Sequence, residues 1–145
     1  MVDTRTRSSP NCVPSMPYNV KHDPVLDIIE VTFTGLITET DLREATTQAI
    51  SMQKQTGTTR FLVDANGRDM QAPLIDIYEI PNAQYRKEEL NMRSRIAVVL
   101  SASVSVQEAA RFYETVCFNR GWNAKICSDR QSAMDWLLGR PSTRD

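Results

Sequence analysis

The sequence is poor in the residues that most often mark a chemistry. It holds one histidine, three cysteines and five glycines in 145 residues. With His22 alone and no CxxC or HxxxH spacing, a zinc site would fall to cysteines and carboxylates that lack any ligand pattern. His22 would also have to serve as the base of any Ser-His-Asp or Cys-His arrangement. It falls in the first expected strand, far in sequence from a nucleophile, and reads as a structural or surface residue. Cys12, Cys117 and Cys127 are odd in number and irregularly spaced, so they are no disulfide framework. The five glycines form neither GxGxxG nor GxxxxGK, which excludes a standard dinucleotide or P-loop site. No apolar run approaches the ~18–20 residues that cross a bilayer. Residues 1–17 lack the apolar stretch of a secretory signal, so a cytoplasmic setting with reduced thiols is expected. Charge is also short on one side: 17 Lys+Arg face 18 Asp+Glu, which argues against a nucleic-acid binder working through a basic face.

What is present is ordinary core material. Hydrophobic residues make up 41% and charged residues 24%, enough apolar matter for a single folded domain. Residues 1–17 carry three prolines and many small polar residues and read as a tail or surface strap. Tyr18 to Asp23 reads as a strand, and Pro24 as a turn. Residues 25–34 form a second strand in which Ile29, Val31 and Phe33 alternate with partly wet positions. The short connection predicts an antiparallel hairpin.

Thr38 and Asp41 stand at the spacing of a capping box, with Ile37 and Leu42 as a hydrophobic staple. Leu42, Ala45, Ala49 and Met52 continue a helix that Gly57 closes. Phe61 to Val63 reads as a strand covered on both faces. Residues 64–72 read as a polar loop. Residues 73–91 look helical, with Pro81 forcing a kink. Ile96 to Leu100 is the most apolar strand and is expected at the centre of the sheet. Ser105 and Glu108 suggest a capping box for a helix carrying Val106, Ala109, Ala110, Tyr113 and Cys117, ended by Gly121. Trp122 to Cys127 is a further strand. Ser128 and Gln131 suggest the cap of a last helix with Ala133, Trp136, Leu137 and Leu138, stopped by Gly139 and Pro141.

The order ββαβαβαβα predicts an α/β fold. It is a mostly parallel five-stranded sheet with an antiparallel N-terminal edge strand, flanked by about four helices. The domain spans residues 18–139, and residues 140–145 form a second tail.

From Ile96 to Gly139 the chain runs apolar strand, helix, Asn119-Arg120-Gly121-Trp122, strand, and a short helix ending in Trp136-Leu137. With Phe118, Gly121 and Ala133 in place, this resembles the sporulation anti-anti-sigma-like (SpoIIAA-like) family of the STAS superfamily, over residues 18–139. The resemblance implies a bacterial α/β domain without catalytic activity or cofactor, acting as a switch or adaptor. Family members of the classical kind carry a phosphorylatable serine after the third strand, whose added charge controls partner binding. The matching segment here, Asp64 to Gln71, contains no Ser or Thr. This branch also resembles lipid-binding Sec14-type domains, which implies a hydrophobic ligand as an alternative.

Two groups of residues are candidate sites. Ligands of open α/β sheets sit outside the carboxyl ends of the strands. There Asp64, Asn66, Arg68 and Asp69 would meet Ser101 and Ser103, as an anion site or as a loop satisfying its own backbone. A phospho-receiver arrangement is rejected, because no acidic pair follows the first strand and Lys125 lies inside its own strand. The second group is Leu74, Ile75, Ile77, Tyr78 and Ile80, joined by Phe112 and Val116, which lie off the main stripe of their helix. So many apolar side chains cannot all face one core, and they are expected to line a pocket or a contact between copies. The Tyr85 to Glu89 segment, with Arg93 and Arg95, reads as a solvated face. Sequence thus points to a non-enzymatic interaction module, expected to be a homodimer with an as yet unidentified protein partner. The alternative is a carrier of a small hydrophobic molecule beneath the kinked helix. An enzyme using Asp64, Arg68 and Ser101 is the least favoured reading, for want of an activated nucleophile–base pair.

Overall fold

The computed structural model describes residues 18–100 and 103–140, with residues 66–69 described in their backbone alone. Residues 1–17, Ser101, Ala102 and 141–145 lie outside the described residues, and so do the expectations placed on them. Five strands, β1 (Tyr18–Asp23), β2 (Ile28–Ile37), β3 (Arg60–Met70), β4 (Arg95–Leu100) and β5 (Asn123–Cys127), form one sheet in the order β1-β2-β3-β4-β5. β1 is antiparallel to β2, and every other pair is parallel. The helices are α1 (Glu39–Thr56), α2 (Leu74–Glu79), α3 (Tyr85–Lys87), α4 (Val104–Asn119) and α5 (Arg130–Leu138), with a π-turn, Ile80–Gln84, between α2 and α3. This is the expected mixed α/β sheet with its antiparallel edge.

The period-two pattern of the strands sorts the core into two faces. Ile29, Val31, Phe33, Phe61, Ala65, Ile96 and Val98 pack beneath α1, the kinked α2–α3 segment and α4. Ile28, Leu62, Ala97 and Cys127 pack on the other face against Ala133 and Leu137 of α5. Three crossovers of one hand put their helices on the same side, as parallel neighbours in sequence require. That leaves the short α5 to cover its half of the opposite face.

Local signals set the element ends. The Thr38 hydroxyl accepts from the Asp41 amide at 3.2 Å, while the Asp41 carboxylate accepts from the Thr38 amide at 3.0 Å. Gly57 then takes φ 77° and donates to the Gln53 carbonyl, a left-handed end that glycine adopts without strain. Gln53 itself is buried and donates to the Thr58 carbonyl and the Ser94 hydroxyl, while accepting from the Asn91 amide. It ties the end of α1 to the start of β4.

Several sequence expectations need correction. The second strand runs from Ile28 to Ile37, because Asp23 caps the preceding turn by accepting from the Val25 and Leu26 amides. The segment read as a polar loop, 64–72, is mostly strand: β3 continues to Met70, paired with Thr32 to Ile37 of β2 across a register shift at Gly35/Leu36. Polar side chains concealed it, since strand pairing there is carried by the backbone. The centre of the sheet is β3 rather than the more apolar β4. Ser103, not Ser105, caps α4 through the Val106 amide, which frees Ser105 to accept from the Met70 amide at 3.0 Å. Asp129, not Ser128, caps α5 by accepting from the Ser132 amide.

Replacing Gln53 by Leu strips a partner from the buried Thr58 carbonyl and Ser94 hydroxyl and from the Asn91 amide at once. We expect Gln53→Leu to lose about 2–3 kcal/mol, read as a lower urea midpoint at unchanged slope. A loss below about 0.5 kcal/mol would mean that the network is not what joins α1 to β4.

Candidate functional site

The kink at Pro81 organises the helical side of the molecule. Proline has no amide hydrogen, so the Ile77 carbonyl loses its helical donor. One residue of slack follows: the Tyr85 amide bonds the Ile80 carbonyl, five residues back, instead of Pro81. The Pro81 carbonyl is then taken by the Trp122 indole N–H at 2.9 Å in a buried bond. Arg120 adds a second pin, donating from Nε to Asn82 Oδ1 and from Nη2 to the Tyr78 hydroxyl, both at 2.7 Å. The chain reaches these positions because Gly121 turns at φ 82° and the Trp122 amide returns to the Cys117 carbonyl.

Beneath this pinned roof lies a cavity of about 120 Å³. Its floor is Val31, Phe33, Phe61 and Val98 of the sheet, and its walls include Ala45 and Ala49 of α1, Ile77 and Ile80 of the kinked segment, and Val106 and Ala110 of α4. Alanine at positions that face branched and aromatic strand residues leaves the space unfilled. Thr46, Tyr85 and Tyr113 bring the hydroxyls of this lining. Thr46 is satisfied by the Leu42 carbonyl. The two tyrosines hydrogen-bond each other, and Tyr85 stands edge-on to both Tyr113 and Trp122. Burial raises both phenols and keeps them neutral. Burial also pushes the adjacent Cys117 thiol up to about 12, against the lowering effect of its Tyr113 hydrogen bond, so this buried thiol is unreactive. A dry apolar cavity on the order of 150 Å³ takes benzene-sized guests. Ile80 also lines an open, polar cleft of about 720 Å³ between α1 and the kinked segment, with Tyr18, Glu44, Glu79 and Glu88 on its rim.

The candidate residues from sequence divide accordingly. Ile77 and Ile80 are buried in the cavity wall. Leu74 and Ile75 are exposed by 53% and 62% at the start of α2. Tyr78 is held by Arg120, Val116 is buried in α4, and Phe112 packs with Ala72, Ile77 and Ala109. Of the polar candidates, only Asp64 and Ser103 have described side chains. Asp64 lies within β3 on the opposite sheet face, Ser103 caps α4, and Asn66, Arg68 and Asp69 belong to the upper part of β3 with side chains outside the described residues. Ser101 is outside them altogether. Most of the cavity wall, Phe33, Phe61 and the facing alanines, was read from sequence simply as core. The signal available was the run of alanines on both helices.

Asp64 has a different setting. Burial and the neighbouring Glu30 carboxylate raise its carboxyl, which Arg130 partly offsets. Arg130 bonds Glu30 bidentately at 2.7 and 3.0 Å and holds that carboxyl below its ordinary range, against the effect of burial. Among the described residues no group of three His, Cys, Asp or Glu side chains is placed to hold a metal ion. No helix among them is long and apolar enough to cross a membrane.

A mixed sheet in sequential order, with an antiparallel edge and its crossover helices on one face, is the STAS-like class of α/β fold. The SpoIIAA-like family model matches residues 28–138, and the chain belongs to that family. No curated protein and no solved structure matches it. Membership supports the coarse role of a regulatory protein-interaction module.

The Glu30–Arg130 pair has a pH signature. A carboxyl lowered in the folded state adds stability that is complete above its unfolded value, near 4.3, and is lost as pH falls through the folded value. Because Arg130 is half exposed, we expect Arg130→Ala to cost up to about 1 kcal/mol at neutral pH, with the difference from the parent vanishing at low pH. Asp64→Asn should act oppositely, with a small gain at neutral pH that fades in acid. Urea titrations across pH 2–7 read both; a pH-independent effect of Arg130→Ala would assign its role to packing.

Proposed function

We propose that this chain is a non-enzymatic regulatory interaction module whose state is set by a small hydrophobic ligand. The observation that carries the reading is the apolar cavity under the kinked segment. The lack of Ser and Thr from Asp64 to Gln71 favours a signal other than phosphorylation of that segment. Filling the cavity would stiffen Ile77 and Ile80, and through them the pinned roof formed with Arg120 and Trp122. The ligand class is apolar and compact, a short-chain or single-ring molecule, since a cavity of about 120 Å³ is far below the volume of a long acyl chain. In this reading the module works in a reducing bacterial cytoplasm, where Cys117 and Cys127 remain free thiols.

A second surface supports partner binding. Leu74, Ile75, Leu36 and Val104 are all exposed at the carboxyl end of the sheet, and exposed apolar groups of this kind mark contact sites. In the proposed module this end is where the chain associates.

Benzene and short-chain alcohols are suitable probes. At a hundredfold excess over Kd a guest specific to the folded state adds about 2.7 kcal/mol, so a rise of several degrees in melting temperature is expected. Ala49→Leu, which reaches into the cavity, should remove that rise and by itself stabilise the protein by about 0.5–2 kcal/mol. No response to any probe, with Ala49→Leu still stabilising, would identify the space as a packing defect and end the ligand reading.

A further inference from the structure

The exposed large hydrophobic residues of the described chain fall into two sets, one at each end of the sheet. Val25 and Leu26 in the β1–β2 turn, Met92 before β4 and Phe118 at the end of α4 lie at the amino ends of the parallel strands; Val25 is 88% and Phe118 82% exposed. Leu36 at the end of β2, Leu74 and Ile75 at the start of α2 and Val104 at the start of α4 lie at the carboxyl ends. None lies midway along a helix, and Leu36 is next to last in its strand. Chain connectivity fixes this division, because each crossover helix begins at the carboxyl end and finishes at the amino end.

The two ends differ in charge. At the amino end Lys54, Arg60, Arg93, Arg95 and Arg120 outnumber Asp23, Asp27 and Glu89. Arg60 and Arg95 are side by side in the β3–β4 register. Among the described residues neither Arg93 nor Arg95 forms an ion pair, and Arg95 lies 4.5 Å over the Trp136 ring. At the carboxyl end Glu39, Asp41, Asp76 and Asp129 outnumber Arg43 and Arg130.

We infer that copies of this chain associate head to tail, the carboxyl end of one (Leu36, Leu74, Ile75, Val104) on the amino end of the next (Val25, Leu26, Met92, Phe118). A two-fold dimer through either end would press like against like, carboxylates in one case and arginines in the other, and like charges across an interface are costly. Joining unlike ends buries apolar groups on both sides and sets opposite charges face to face. Such a contact is heterologous: it leaves a free end of each kind and continues into a ring or an open chain. The inference rests on the self-association within the proposed function and specifies its geometry.

The test uses the full chain, Ile75→Glu at the carboxyl end and Met92→Glu at the amino end. Both sites are exposed, and circular dichroism melts check that each variant keeps the parent's stability. Sedimentation velocity of the parent should show a mean mass rising with concentration past the dimer and falling in 0.5 M salt, an ionic strength on the order of several times physiological that screens charge pairing. Each variant alone should stop at small species. An equimolar mixture should form a 1:1 dimer through the two intact ends, seen as a twofold rise in mass over the variants. A parent that stays monomeric would end self-association altogether. A closed dimer abolished by one variant and untouched by the other would keep self-association and overturn the head-to-tail geometry.

Discussion

The bond from the Trp122 indole to the Pro81 carbonyl sets the geometry of the helical side. Proline in a helix normally leaves two faults, a carbonyl without its donor and a carbonyl displaced from the helical ladder. Here the second fault is met by a side chain from another element, which fixes where the kink sits. The π-turn, the edge-on stacking of Tyr85 against Trp122 and the Arg120 clamp all depend on that one position. So does the cavity: its roof is Ile77 and Ile80, carried on the two sides of the kink, and a straight helix would bring them down onto the alanines of α1 and α4.

The two faces of the sheet divide the chemistry. On the helix-covered face lies a cavity whose lining, among the described residues, is polar only at two neutral phenols and one satisfied threonine. On the other, half open, lie the Glu30–Arg130 pair and the perturbed Asp64. An acyl-transfer or hydrolytic centre requires a nucleophile, a base and a charge-stabilising group within one site. Among the described residues the cavity lining holds no carboxylate: Glu30 and Asp64 lie across the sheet, and Glu44, Glu79 and Glu88 border the neighbouring cleft.

Much of the architecture was legible in the residues. Thr38 with Asp41, Gly57, Gly121 and Gly139 mark real element ends, and the period of two in Ile29, Val31 and Phe33 correctly places a one-sided strand. The kink at Pro81 was also legible, because its cause is covalent. What escaped was set by tertiary partners. The outer half of β3 is held by β2 through its backbone, which no side-chain pattern announces. Ser103 and Ser105 are chemically alike, and only the proximity of the Met70 amide decides which of them caps α4. The cavity is a property of volumes summed over four elements, so the same alanines that signal helix also conceal the space they leave. The apolar segment from Leu74 to Ile80 was expected to line a pocket or a contact between copies; its partition between wall and surface follows from the kink.

The sequential order of the strands has a further consequence. Each strand pairs with the strand next to it along the chain, so closing the sheet never requires a loop longer than one crossover. Each parallel pairing still has to await its crossover helix, and parallel sheets are slow to form for that reason. A sheet in this order can grow from one end, as on a ribosome: the β1–β2 hairpin forms first and each emerging crossover adds one strand to the existing edge. The last element to arrive, α5, closes the second face by bringing Arg130 to Glu30, one hundred residues back along the chain. That pair joins a late-made part of the domain to an early one.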